Sequence, residues 1–172
     1  LLAGSLDTLF EKHAVPVLRD PWAARNDYID VILDRSDKNL KRYFEKHASR
    51  SLSPSEEITA LRLLEMQRQR LLMFTSCAWF FDEVSGLEST SVLMSAARAI
   101  QMGAAFPEGE RLEADFLLGL ADAKSNLPEM GNGAMVYRRF VKPVAADLQR
   151  VAAHQALKAV WKDEKDKGSV YC

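Results

Sequence analysis

Three aromatic side chains and two carboxylates crowd into one stretch, Trp79-Phe80-Phe81-Asp82-Glu83. An aromatic face beside charged groups suits a polyhydroxylated ligand. The ring covers the apolar face of a sugar, and the charged groups bind its hydroxyls. Continuous helical spacing would place Glu65, Gln69, Leu72, Ser76, Trp79 and Glu83 on one stripe, with Arg68 beside it. Arg98, on the next predicted helix, can face the same region. Trp79, Asp82, Glu83, Arg68 and Arg98 are therefore candidate substrate-binding residues. The same residues have a second explanation. Polar groups on a buried helix must find partners, and pairing with Arg98 or with other helices would hold a bundle in register. Two carboxylates at one helix end do not make a glycosidase, whose acids flank a bond at a separation of roughly 5–10 Å.

Trp22, Arg25 and Tyr28, with Asn26 and Asp27 between them, form a second polar–aromatic cluster. It is a further candidate site, or simply a helix whose rings anchor in the core. Signatures of catalysis are missing. No GxGxxG or GxxxxGK[ST] loop is present to cradle phosphate, and neither HExxH nor GxSxG occurs. His13, His47 and His154 fall on different predicted helices. Glu11-Lys12-His13 and Glu45-Lys46-His47 have the wrong spacing for the Glu-x-x-His pairs of a di-iron bundle. We expect no catalytic residue, no metal site and no cofactor in this chain.

Helices must position these groups. A short one is predicted over Leu6 to Ala14, with Leu6, Leu9, Phe10 and His13 on one face. Asp20-Pro21 is an N-cap followed by proline at the first helical position, and opens a helix to about Asp34. Its inner side is predicted from Trp22, Arg25, Tyr28, Ile29, Ile32 and Leu33. Ser36 or Asp37 caps a third helix, to about His47. Ser53-Pro54-Ser55-Glu56 is a capping box, and the helix it starts reads on to about Phe81, apolar nearly all round and so central and buried. Ser85-Gly86-Leu87-Glu88 reads as a second box, opening a small-residue helix to about Ala105. After a turn at Pro107-Glu108-Gly109 comes a helix from Glu110 to Ala123. Residues 126–133 form the one long loop. A last helical stretch, Ala134 to Trp161, is kinked or split at Pro143.

These elements predict an all-α fold, a bundle of about six to eight helices around a long central buried one. Composition agrees. Alanine and leucine number 22 each in 172 residues, while Gly plus Pro is only 14, so helix formers outweigh turn residues. The balance of 23 basic and 24 acidic side chains argues against a nucleic-acid module. The longest apolar run, Leu71 to Phe81, is too short to span a bilayer. Cys77 lies inside that run and reads as a small core residue. It forms no evident framework with Cys172, so a reducing cytoplasm is expected. We expect one helical domain over residues 1–161 and a charged tail over 162–172. The chain opens on Leu1 rather than Met, as a piece of a longer protein would.

Several stretches carry a family resemblance: residues 20–29 and 31–35, Leu64-Glu65-Met66-Gln67-Arg68-Gln69-Arg70, residues 73–83, residues 96–101 and Arg150-Val151-Ala152-Ala153-His154. Together they resemble the helical domain called domain of unknown function 3536, over about Leu6 to Trp161. The motif around Trp79 is the specific one. In that family the domain follows a barrel similar to glycoside hydrolase family 57, whose catalytic acids lie in the barrel. The resemblance thus implies a C-terminal accessory domain of a glucan-acting protein. Its implied partners are the N-terminal barrel of the same polypeptide and an α-glucan, with neither nucleic acid nor membrane among them. Two expectations follow. In the first, the domain packs on the barrel and lines its carbohydrate cleft through Trp79 and its neighbours. In the second it is a docking module without ligand contact, which requires an exposed apolar patch.

Overall fold

Apolar residues recur at helical spacing on two long segments, and those two helices are the centre of the fold. The computed structural model describes residues 1–161. In it α5 (Pro54–Leu72) buries Ala60, Leu63, Leu64, Met66 and Gln67, and packs along α7 (Leu87–Gly103). Helix α7 turns Leu93, Ala96, Ala99, Ile100 and Met102 inward. Its alanines carry only methyl groups, which lets the two helices lie close. Helix α1 (Leu2–Ala14) lays Leu6, Leu9 and Phe10 against both. Burying a leucine such as Leu6, Leu63 or Leu64 contributes about 1.5–3 kcal/mol each, so this seam is the main source of stability.

Helix α2 (Pro21–Asp27) packs on α1 and α5, and α3 (Ile29–Leu33) and α4 (Asp37–His47) pack on it and on each other. Helices α6 (Cys77–Phe80) and α8 (Leu112–Leu120) pack on α7, and α9 (Gly133–Val136) packs on α8. A smaller apolar cluster of Leu93, Val136, Tyr137 and Val141 joins α7 to α9 and to the wide turn 137–141 that follows it. Helix α10 (Leu148–Trp161) is the last of the described helices. Among the described residues the only β pairing is two isolated bridges, Leu18 with Ala48 and Lys124 with Asn132. The chain is an all-α bundle, as expected, and no described helix is long and apolar enough to cross a membrane.

Three of the start signals work as the sequence suggests. Asp20 accepts from the Ala23 N–H, and Ser36 from that of Asn39. Glu56 accepts from the Ser53 N–H at 2.8 Å, completing the capping box. At Gly109, a Cβ would stand 1.9 Å from the Gly103 carbonyl oxygen, so only glycine allows the turn after α7 to fold back on its end.

Several boundaries differ from expectation. The helix from Pro54 ends at Leu72 rather than Phe81. There the amides of Phe74 and Thr75 bond to carbonyls three residues back, and the Thr75 hydroxyl also donates to the Leu72 carbonyl. Side-chain competition of this kind tightens and stops the last turn. The stripe from Glu65 to Glu83 is therefore broken, and Cys77 is exposed on α6 rather than in the core. The helix from Pro21 divides at Tyr28, whose amide bonds back to Arg25. Val31 then takes the inner position, and Ile29 and Leu33 are exposed. Ser85 is not a cap: α7 starts after Gly86, and the Ser85 N–H donates to Glu83. The helix after Pro107 is shorter than expected. The last stretch is split at Pro143, as expected, with the proline inside a tight turn over Lys142–Val144. The expected charged tail lies outside the described residues.

Candidate functional site

The break after Leu72 sets up the aromatic face. Freed from α5, the short α6 buries none of its residues. Trp79 is 70% exposed and Phe80 84%, and Phe74 and Phe81 are each about half exposed. The Phe74 and Trp79 rings are parallel to within 5°, with centroids 6.4 Å apart, an offset stack. Phe80 and Phe81 meet edge to face at 5.2 Å. The Arg70 guanidinium stands 5.4 Å from the Phe74 ring, and Asp7 balances it at 2.7 Å. Leu71 and Leu87 add exposed apolar surface nearby in sequence.

The carboxylates next to this face behave differently from one another. Glu83 receives the Ser85 N–H and the Ser125 hydroxyl on Oε1, and the Asn126 N–H on Oε2, each at 2.7 Å. Those hydrogen bonds, from Ser85 and Ser125 first, hold its pKa down at about 2. Glu83 thus clasps the loop after α8 to the start of α7. Asp82 contributes only its carbonyl, to the Asn126 amide, and its side chain is exposed. Of the five expected site residues, Trp79, Asp82 and Glu83 stay together, while Arg68 and Arg98 are engaged elsewhere.

The second cluster also divides. Trp22 donates to Glu11 and packs on Phe10, and Arg25 lies 4.8 Å over the Trp22 ring. Tyr28 instead turns inward, only 3% exposed, and donates to Glu65 Oε2 at 3.3 Å. Burial, and then Glu65, push its pKa up to about 12.

Tyr28 and Arg98, from different sequence clusters, meet in one cleft of about 640 Å³ between α3, α5 and the end of α7. Its polar lining is Tyr28, Arg35, Arg62, Glu65, Arg98 and Gln101. Its floor is apolar, from Val31, Leu61 and Met102 among others. Glu65 is the hub. Arg68 reaches its Oε1 at 2.6 Å, Gln69 at 3.0 Å, and Arg35 lies 3.8 Å from Oε2. Arg98 donates to Gln101 Oε1 at 2.6 Å. Sequence reasoning missed Arg62 and Gln101. The available signal was the three-residue spacing of Arg62 with Glu65 and of Arg98 with Gln101, which places each pair on one helix face.

The histidines stay apart. His13 meets Glu108 at 2.8 Å, where Lys12 also binds. His47 Nε2 lies 3.1 Å from Asp27, and burial lowers its pKa. His154 is exposed on α10. Among the described residues no three His, Cys, Asp or Glu side chains gather as a metal site requires.

The family model described as "Domain of unknown function (DUF3536)" matches residues 1–172. The chain belongs to this family. No curated protein and no solved structure matches it. Within the DUF3536 domain, the aromatic face of α6 and the α3–α5–α7 cleft are thus two separate surfaces, each with its own chemistry.

Proposed function

We propose that this DUF3536 domain is a non-catalytic helical accessory module of a glycoside hydrolase family 57-like protein, and that it packs on the barrel of that protein through the α6 aromatic face. The observation that carries this reading is the exposure of four aromatic rings, Phe74, Trp79, Phe80 and Phe81, on one short segment. Exposed apolar surface of this kind commonly marks an interaction site. Aromatic residues are also the side chains most enriched in interface cores. Of the two carboxylates beside the face, Glu83 is already satisfied within the domain, while Asp82 stays exposed at its edge. The occupant is the adjoining barrel, as the family resemblance implies.

Hydrogen exchange on the full polypeptide tests this. Amides of residues 74–88 should exchange more slowly in the full protein than in the 172-residue chain alone. A Trp79→Ser/Phe80→Ser variant of the full protein should lose that protection and become sensitive to protease between domains. Equal exchange in both proteins would overturn the reading.

A second reading has its own support. Trp79 presents a free ring beside the exposed Asp82, an arrangement able to stack on a glucan ring at the rim of the barrel cleft. Glucan hydrolysis by the full protein with Trp79→Ala decides it. A raised KM or lowered kcat in a normally docked variant supports cleft lining, and unchanged constants remove it.

A further inference from the structure

We propose that the α3–α5–α7 cleft is a binding site for a small organic phosphate monoester, held by Arg62 and Arg98. Arg35, Arg62 and Arg98 line the cleft with a single carboxylate, Glu65. That carboxylate is already satisfied by Arg68, Arg35, Gln69 and Tyr28. Arg62 and Arg98 have no carboxylate partner among the described residues, and the hydrogen-bond partner of Arg98, Gln101, is neutral. Two guanidiniums from two helices, Arg62 exposed at the rim and Arg98 partly buried, therefore line one cleft with no carboxylate partner among the described residues.

A guanidinium presents a planar fork of donors that fits the oxygens of a phosphate or carboxylate two at a time. Two unpaired cations match a phosphate monoester, which carries close to two negative charges at neutral pH. A monocarboxylate would leave one of them unmatched.

Size and lining specify the rest of the ligand. At about 640 Å³ the cleft falls in the range of small-molecule sites. Val31, Leu61 and Met102 give it an apolar floor, which an inorganic anion would leave uncovered. A neutral sugar is disfavoured, because the one ring in the lining, Tyr28, is 3% exposed and offers no face for stacking. A metal cation is disfavoured by the positive lining. The site is independent of the aromatic face, so it stands or falls apart from the docking proposal.

Titration calorimetry on the 172-residue chain tests the proposal, with phenyl phosphate, inorganic phosphate and benzoate as probes. Phenyl phosphate should bind at least tenfold more tightly than either of the others. Arg62→Gln and Arg98→Gln should each weaken it by tenfold or more, with unchanged thermal melts showing that the fold is intact. Raising the salt concentration should weaken binding as well. Absence of phenyl phosphate binding at millimolar concentration would overturn the site. Binding that survives both substitutions would overturn the assigned residues. Equal affinity for inorganic phosphate would overturn the organic ligand.

Discussion

Glu83 Oε2 accepts the backbone N–H of Asn126 at 2.7 Å, across 43 positions of chain. One carboxylate thereby ties the start of α7 to the loop beyond α8, and Oε1 is occupied by Ser85 and Ser125. Glu83→Gln should lower the melting temperature at pH 7, because an amide turns an NH₂ group toward donors that need an acceptor. The pH dependence has a definite sign. The folded pKa is depressed to about 2 from an ordinary 4.5. The stabilisation is therefore complete above about pH 4.5 and fades as pH falls toward 2. Thermal melts of wild type and variant should differ at pH 7 and converge in that acid window. A constant gap across the window would show that Glu83 acts through something other than its charge.

Gly109 and Gly119 should respond in opposite ways to alanine. At Gly109 the new methyl would collide with the Gly103 carbonyl, so Gly109→Ala should cost about 1–3 kcal/mol. At Gly119, within α8, nothing lies within 4 Å of the added Cβ. Gly119→Ala should stabilise by about 0.4–1 kcal/mol, mainly by restricting the unfolded chain. Urea denaturation midpoints at a common slope would display the contrast.

Local signals in the sequence held at three of the four helix starts read from them, the box at Ser85 being the exception because its amide is taken by Glu83. Ser53 and Glu56 form the capping box their spacing suggests, and Asp20-Pro21 and Ser36 start helices as read. The all-α class was equally legible. The break after Leu72 was not, because the apolar run continues through Phe74 and only the Thr75 hydroxyl and a tightened last turn end the helix. A one-segment break matters greatly for function: it moves Trp79 from a buried stripe to an exposed face. The cleft was hidden for a different reason. Tyr28, Glu65 and Arg98 sit on three helices far apart in sequence, and only tertiary packing brings them together. Tyr28 and Arg98 were both conspicuous as residue types, yet their spacing assigned them to different clusters.

Exposure implies that the aromatic face contributes little to the stability of the domain itself. Trp79→Ala and Phe80→Ala should each change unfolding free energy by no more than about 0.5 kcal/mol. Leu64→Ala, at a fully buried position on α5, should cost about 2–5 kcal/mol. Equilibrium denaturation of the three variants separates a surface held for a partner from a core. A loss above about 2 kcal/mol at Trp79 would mean that its stack on Phe74 anchors the fold, and would weaken the docking reading.

Gln67 offers a test of the core. It is fully buried on α5, and its Nε2 donates to the Leu6 carbonyl at 3.4 Å and to Asp7 at 3.1 Å. Its Oε1 accepts from none of the described residues. A buried acceptor without a partner costs about 1–3 kcal/mol. Gln67→Met keeps the length and most of the volume of the side chain while removing that acceptor. Asp7 loses the donor on Oδ1 but keeps Arg70 on Oδ2 at 2.7 Å and is partly open to water, and the Leu6 carbonyl lies within helix α1. Gln67→Met should therefore be neutral or stabilising by about 1 kcal/mol, because the unsatisfied acceptor it removes outweighs the donor that Asp7 can replace with water. Gln67→Ala removes the same acceptor but opens a cavity against α1, and should destabilise by about 2 kcal/mol or more. Denaturant midpoints for the two variants should fall on opposite sides of wild type, or with Met at its level. A methionine variant as damaged as the alanine one would show that the hydrogen bonds of Gln67, rather than its bulk, hold α1 to α5.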